Sequence, residues 1–285
     1  MSEYTPEHPP QLAPLPPAYG VLFDRACQVC QADERVRALW LSGSVARGAA
    51  DAGSDLDLMV TVQDDAFAAF AASWRDWLAQ IAPTIIAREL PGSPGSFYAV
   101  TETWERLDVV CERVSALPTT PYRIRINVFD RDDLTQQLPA YNQQGPSAER
   151  VGRLIEEAFR IHGLLPAVLA RQDWLLGVEG VHTLRTLLYQ LFVEGNAPQP
   201  PMGVKQWSSR LSQEQRELLE RLPLGAPNRQ AIIEGHVAVV QAFMPAAKAL
   251  ALRLQVPWPE HLERKTAEYL YRELGITSLA ARPAD

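Results

Sequence analysis

The chain has 285 residues, enough for two domains of ordinary size, and its 47% hydrophobic and 21% charged residues suit a globular protein with a real core. A formal net charge of −7 argues against a protein that tracks a nucleic-acid backbone, which usually needs a basic stripe for the phosphates, and favours a small partner, above all a cationic one drawn into an acidic cleft. No apolar run is read as long enough to span a membrane, and three cysteines make no disulfide framework.

Residues 1–17 are rich in proline and lack the apolar core of a signal peptide, so a flexible or extended leader is expected over 1–18. Leu22, Ala26 and Val29 recur at helical spacing and predict a helix over 19–36. Cys27 and Cys30 form a C-x-x-C pair inside it. A redox motif should follow a strand and open a helix, and a closed zinc site needs four ligands with no second pair here. Buried free thiols are therefore expected, consistent with a reducing cytoplasm as the compartment.

Ala38-Leu-Trp-Leu41 reads as a buried strand, broken by Gly43-Ser44. Gly43 permits a tight turn, Ser44 is expected to cap a short helix, and the free N–H groups there suit an anion. Arg47 and Gly48 follow one turn on, where a guanidinium can reach a phosphate oxygen. A second strand is predicted over 56–62, with Asp55 and Asp57 at its start. Residues i and i+2 of a strand share a face, so the two carboxylates project together while Leu56 and Leu58 turn to the core. Their repulsion is relieved by a divalent cation, and hard oxygen donors suit Mg²⁺, which usually takes one or two carboxylates plus substrate phosphates.

Gly43-Ser44, ten intervening residues, then Asp55-x-Asp57 resembles the signature of the nucleotidyltransferase superfamily that includes DNA polymerase beta. Ala46-Arg47-Gly48 and Ser54 resemble its small-molecule and minimal branches. The resemblance implies Asp55 and Asp57 as ligands of one or two Mg²⁺ ions, and Gly43, Ser44 and Arg47 as the triphosphate site.

Asp64-Asp65 signals a helix start, with a helix over 66–81 ended by Pro83. Strands follow over 84–90, 97–102, 106–114 and 123–129, with a loop at 91–96 that reads as a plain hairpin connection. Asp108 is unexpected in a buried strand, because an unpaired buried charge is costly. Alternation sets it opposite to Leu107 and Val109. The superfamily carries a third carboxylate on the strand beside the paired ones, where it completes the metal site or activates the acceptor hydroxyl; Asp108 matches that position, with Glu105 and Glu112 as alternatives.

A boundary falls at 139–147. The expected organisation is a catalytic domain over 19–138 and a helical acceptor-binding domain over 147–285. Helical spacing covers 148–170, 174–194, 213–221, 228–254 and 259–274, a bundle of about five helices. The fold class is thus α+β, a mixed sheet with flanking helices followed by an all-helical domain. This order resembles aminoglycoside adenylyltransferases acting on streptomycin or spectinomycin. Met202-Gly-Val-Lys205-Gln-Trp207 resembles a lysine-bearing helix start in their helical domain, which would bring Lys205 to the nucleotide; a solvated lysine beside a core tryptophan is the other reading. His182 and Arg185 share a helix face and are expected to be a structural pair. Trp174, Glu179 and Glu194 are candidate acceptor contacts.

These residues point to a Mg²⁺-dependent transferase, with ATP as substrate and AMP moving to a small-molecule hydroxyl, of aminoglycoside type, and with neither nucleic acid nor membrane as partner. The alternative is a regulatory, antitoxin-like protein that binds or modifies a partner protein.

Overall fold

The computed structural model describes residues 8–198 and 207–277. The chain forms two compact units, one ending at Asn142 and the other beginning at Gln143.

The first unit is built on a six-stranded mixed sheet of β1 (Val36–Leu41), β2 (Leu56–Val62), β3 (Thr84–Glu89), β4 (Phe97–Thr101), β5 (Arg106–Arg113) and β6 (Ile126–Asp130), in the order β3-β4-β5-β2-β1-β6. Only β2 and β5 run parallel; the other neighbours are antiparallel. One face is covered by α1 (Pro17–Ala32), α3 (Phe67–Ala72) and α4 (Trp74–Ile81). Phe23, Phe70, Phe97, Leu56, Leu58 and Leu107 are sealed between these helices and the sheet. Each such side chain contributes about 1.5–3 kcal/mol by leaving water. On the other face Trp40 and Met59 pack with Leu117 and Leu134 in a smaller core.

Three local signals move the expected boundaries. Helix α1 stops at Ala32 rather than 36, because the Asp33 carboxylate takes the Arg35 amide at 3.0 Å and its guanidinium at 2.7 Å, which turns the chain into β1. The helix expected over 66–81 is two helices. Ser73 breaks it by returning its hydroxyl to the carbonyls of Ala69 and Phe70, both at 3.1 Å. Asp64 does not cap it either; its carboxylate accepts from the Ser115 amide at 3.1 Å. Before α1, residues 10–12 form a 3₁₀ turn, and Leu12 and Leu15 are buried in the core, so this part of the expected leader packs down.

The second unit contains, among the described residues, six α-helices rather than about five: α5 (Ala148–Gly163), α6 (Leu165–Arg171), α7 (Trp174–Gly195), α8 (Gln213–Arg221), α9 (Arg229–Arg253) and α10 (Glu260–Leu274). The extra helix arises because Pro166, lacking an amide hydrogen, cannot continue α5 and instead opens α6. Helices α5, α7 and α9 share one core, with Val181, Leu188, Val239 and Phe243 at its centre. Helices α7 and α9 meet closely where Gly177 lies against Ile232 and Gly235 against Val181. An 18-residue stretch of helix α9 reaches mean hydropathy 1.3, apolar enough by length and composition to cross a membrane, and half of that stretch is buried inside the fold.

Candidate active site

The parallel pairing of β2 with β5 sets Leu56 beside Leu107, Asp57 beside Asp108 and Leu58 beside Val109. The burial of Leu56, Leu58, Leu107 and Val109 fixes the register, since a slip of one residue in either strand would drive its aspartate into the core. Asp57 and Asp108 are therefore neighbours on one face, about 4.8 Å apart along the sheet, and both are half-buried.

The end of β1 closes on the same place. Ser42 donates its amide to the Asp57 carbonyl at 2.9 Å. Gly43 then adopts a left-handed backbone, φ +58°, and a Cβ on it would overlap the Asp57 carboxylate. Glycine here answers both demands at once, backbone angle and close approach. The next residues make α2 (Gly43–Ala46), a single turn. Its N-cap is Ser42, in extended conformation and without a side-chain capping bond, so Ser44 lies inside the turn and is not the cap expected from sequence. One turn carries little macrodipole. Any anion there meets the N–H groups of Gly43 and Ser44 rather than a long helix end. Arg47 follows at the end of α2, half-buried, and Gly48 is exposed with φ +66°. The loop back to β2 is pinned by Asp51, whose carboxylate accepts from the Gly53 amide at 2.8 Å and the buried Ser54 hydroxyl at 3.1 Å.

Asp55 precedes β2 and is held by Arg106, whose Nη2 is 3.1 Å from its carboxylate and also donates to the Gly53 carbonyl. Arg106 is in turn fixed through its amide, which donates to the Tyr19 hydroxyl at 3.1 Å. Sequence reasoning passed over Arg106. Its signal was position, two residues before Asp108 on the same face. It also passed over Tyr98, which stands opposite Asp108 on β4.

The two alternatives to Asp108 are occupied elsewhere. Glu105 is buried and accepts from the hydroxyls of Thr101 and Thr103, the latter at 2.6 Å. Burial pushes its pKa up, and these hydrogen bonds more than offset that, leaving it below the usual carboxylate value. Glu112 pairs at 2.6 Å with Arg125, a nearly fully enclosed guanidinium lying over the Trp40 ring. Both are structural anchors.

Among the described residues no three Asp, Glu, His or Cys side chains converge into a metal cage. The donor set still fits Mg²⁺. Asp57 and Asp108 supply two hard-oxygen carboxylates from adjacent strands, and Mg²⁺ ordinarily completes its shell with water and phosphate oxygens.

Residues 26–90 match the model of the nucleotidyltransferase domain. The likeness to a nucleotidyltransferase domain thus covers less than a quarter of the chain. The match takes in Gly43, Ser44, Arg47, Asp55 and Asp57 and stops before Asp108. No curated protein sequence matches the chain. Among solved structures, an aminoglycoside 6-adenyltransferase from Bacillus subtilis is similar at 18% identity and a TM-score of 0.44, over 87% of this chain and 95% of the other. A nucleotidyltransferase-like protein from Exiguobacterium sibiricum 255-15 is similar at 15% identity and a TM-score of 0.34, over 88% of this chain and 86% of the other. At these scores neither bears on the acceptor.

In the helical unit the expected roles change. His182 is exposed and Arg185 does not pair with it; the Arg185 guanidinium donates to the carbonyls of Leu219 and Leu222 at the end of α8, both at 2.9 Å. Those carbonyls are left over by the helix end, which is why they draw a cation. Glu194 is buried, accepts from the Ser147 amide at 2.5 Å and lies 3.4 Å from Arg150, so it ties down the start of α5. Trp174 is half-buried beside Leu165 and Leu169, and Glu179 is exposed. Lys205 lies outside the described residues. Trp207, from the same phrase, stacks on Tyr189 with ring centres 3.5 Å apart.

Proposed function

We propose that the chain is a Mg²⁺-dependent nucleotidyltransferase that moves AMP from ATP onto a hydroxyl of a small molecule. The observation that carries this reading is the register that seats Asp57 beside Asp108 with Gly43 directly over the Asp57 carboxylate. Asp57 and Asp108, with Asp55 once it parts from Arg106, would hold the metal, which neutralises triphosphate charge when bound. The amides of Gly43 and Ser44 and the Arg47 guanidinium receive phosphate oxygens. Asp108 takes the proton of the acceptor hydroxyl as its oxygen bonds to the α-phosphorus, and the bond to the departing pyrophosphate breaks. Lys205 is proposed as a further phosphate contact, and residues 147–285 as the part that chooses the acceptor.

For the acceptor we infer a polyhydroxylated cation of aminoglycoside type. The support is electrostatic: a chain of net charge −7 with three carboxylates at one site favours a polyamine over a nucleic acid. The test incubates the full chain with ATP, Mg²⁺ and a panel of aminoglycosides and lincosamides, followed by mass spectrometry. The expected product is heavier by one AMP and accompanied by pyrophosphate. No product from any member, with labelled AMP appearing on a co-expressed protein instead, overturns the small-molecule reading in favour of protein modification.

A further inference from the structure

Behind the sheet, away from Asp57 and Asp108, a cavity of about 540 Å³ lies between α1, the end of α4 and the β4–β5 turn. That is the size of an ordinary small-ligand pocket. Its walls are mainly apolar, with Ala18, Val21 and Leu22 from α1 and Ile81 and Pro83 beyond α4. The β4–β5 turn adds polar groups, Thr101, Glu102, Thr103 and Glu105, and of these Glu105 is a carboxylate only 9% exposed.

Glu105 serves the turn through one oxygen. Its Oε2 accepts from Thr101 and Thr103, and the Glu105 amide in return donates to the Thr101 hydroxyl at 3.1 Å. Among the described residues Oε1 receives no hydrogen bond from another residue, and no Lys, Arg or His forms an ion pair with the carboxylate. Arg25 also lines the cavity, but its guanidinium donates to the Gln80 carbonyl at 2.9 Å. The hydroxyl bonds keep Glu105 ionised at neutral pH. A buried carboxylate without a counter-charge is costly, and anchoring a turn does not require one. An apolar cavity with an ionised carboxylate at its wall is complementary to an ammonium group carried on an apolar body.

We propose that this cavity is a binding site for a small ammonium compound with an apolar body, its nitrogen on Glu105 and its body against Val21, Leu22 and Ile81. The site is separate from the transfer chemistry and does not depend on it. Its ligand would sit one residue from Arg106, the partner of Asp55.

The probe is 2-phenylethylamine, compared with 2-phenylethanol, which has the same body and no charge, each titrated into the full chain and followed by amide NMR. Saturable shifts at Val21, Ile81 and Thr103 are expected with the amine and not with the alcohol. Glu105→Gln keeps an acceptor for both threonines and should weaken amine binding about 10- to 100-fold, as expected for losing a hydrogen bond to a charged group. Val21 is 72% exposed at the rim of the cavity, so Val21→Trp leaves the turn untouched, covers the opening with an indole and should abolish binding even if Glu105→Gln proves poorly folded. Equal binding of amine and alcohol, no binding of the amine to the unaltered chain, or amine binding that survives Val21→Trp overturns the proposal.

Discussion

The Asp57 carboxylate occupies the space that a side chain on Gly43 would need. Strand β1 ends and β2 begins at this contact, and the Ser42–Asp57 backbone bond holds the two together. The tight approach explains why the turn proposed for phosphate and the carboxylate proposed for the metal come as one piece.

Gly43→Ala should therefore damage both functions. The left-handed backbone costs about 1–2 kcal/mol for a residue with a Cβ, and the Asp57 side chain must also leave its position. Urea denaturation is expected to show a loss of about that size or more, and turnover should fall much further than stability. Unchanged turnover would mean that Asp57 does its work from another rotamer.

Asp108→Asn separates proton removal from binding. The amide keeps the shape and cannot take a proton. We expect kcat to drop by about two to four orders of magnitude, far more than ATP affinity weakens through the loss of one metal ligand. Steady-state kinetics with a saturating acceptor decides it. Unchanged turnover would exclude Asp108 as the base, and the occupied carboxylates of Glu105 and Glu112 are poor replacements.

Much of this was legible in the chain, and the exceptions have physical causes. Strand β2 was readable end to end because Leu56 and Leu58 alternate with Asp57 between a polar loop and Gln63-Asp64. Helix α8 was readable over 213–221 from its helical spacing, and in the structure Ser212 and Gln215 form a capping box at its start. The break at Ser73 was not readable, since the apolar spacing from Phe67 to Trp77 runs through it unchanged and only the serine hydroxyl interrupts the helix. Each aspartate of the site stood out as a charge in an apolar strand. That Asp57 lies beside Asp108 was legible only through the family resemblance, because a parallel pairing across a long crossover leaves no local mark. The Asp55–Arg106 pair depends on that same pairing.

Two buried histidines make the helical unit acid-sensitive. Burial lowers His162 to about 3, helped by neighbouring His236, and burial lowers His236 to about 4. Their rings stack 5.9 Å apart. Both resist protonation in the native state while the unfolded chain protonates near 6.5, so the unfolded state binds more protons below that pH. Stability is full above about 6.5 and falls as pH drops toward about 4, by several kcal/mol in all. Denaturant titrations across this range should show the loss, and His162→Gln should flatten part of it. A flat profile between pH 6.5 and 4 would contradict the burial of these rings.

All three cysteines, Cys27, Cys30 and Cys111, are buried. Burial raises the thiol of Cys27 to about 12 and lifts Cys30 and Cys111 well above their ordinary value. Little thiolate is present at neutral pH, and access is blocked. Ellman's reagent should label none of them in the native chain and all three after denaturation. Fast labelling of the Cys27–Cys30 pair in the native protein would revive a redox or zinc role.

The central claim is that Asp57, seated on Gly43 and beside Asp108, binds the metal that holds a nucleoside triphosphate. Thermal unfolding of the wild-type chain and Asp57→Asn, with ATP and with or without Mg²⁺, tests it before any acceptor is known. The wild type should gain melting temperature from ATP only when Mg²⁺ is present, whereas Asp57→Asn should melt at or above the ligand-free wild type and gain nothing from the pair. An equal Mg²⁺-dependent gain in Asp57→Asn would contradict the account.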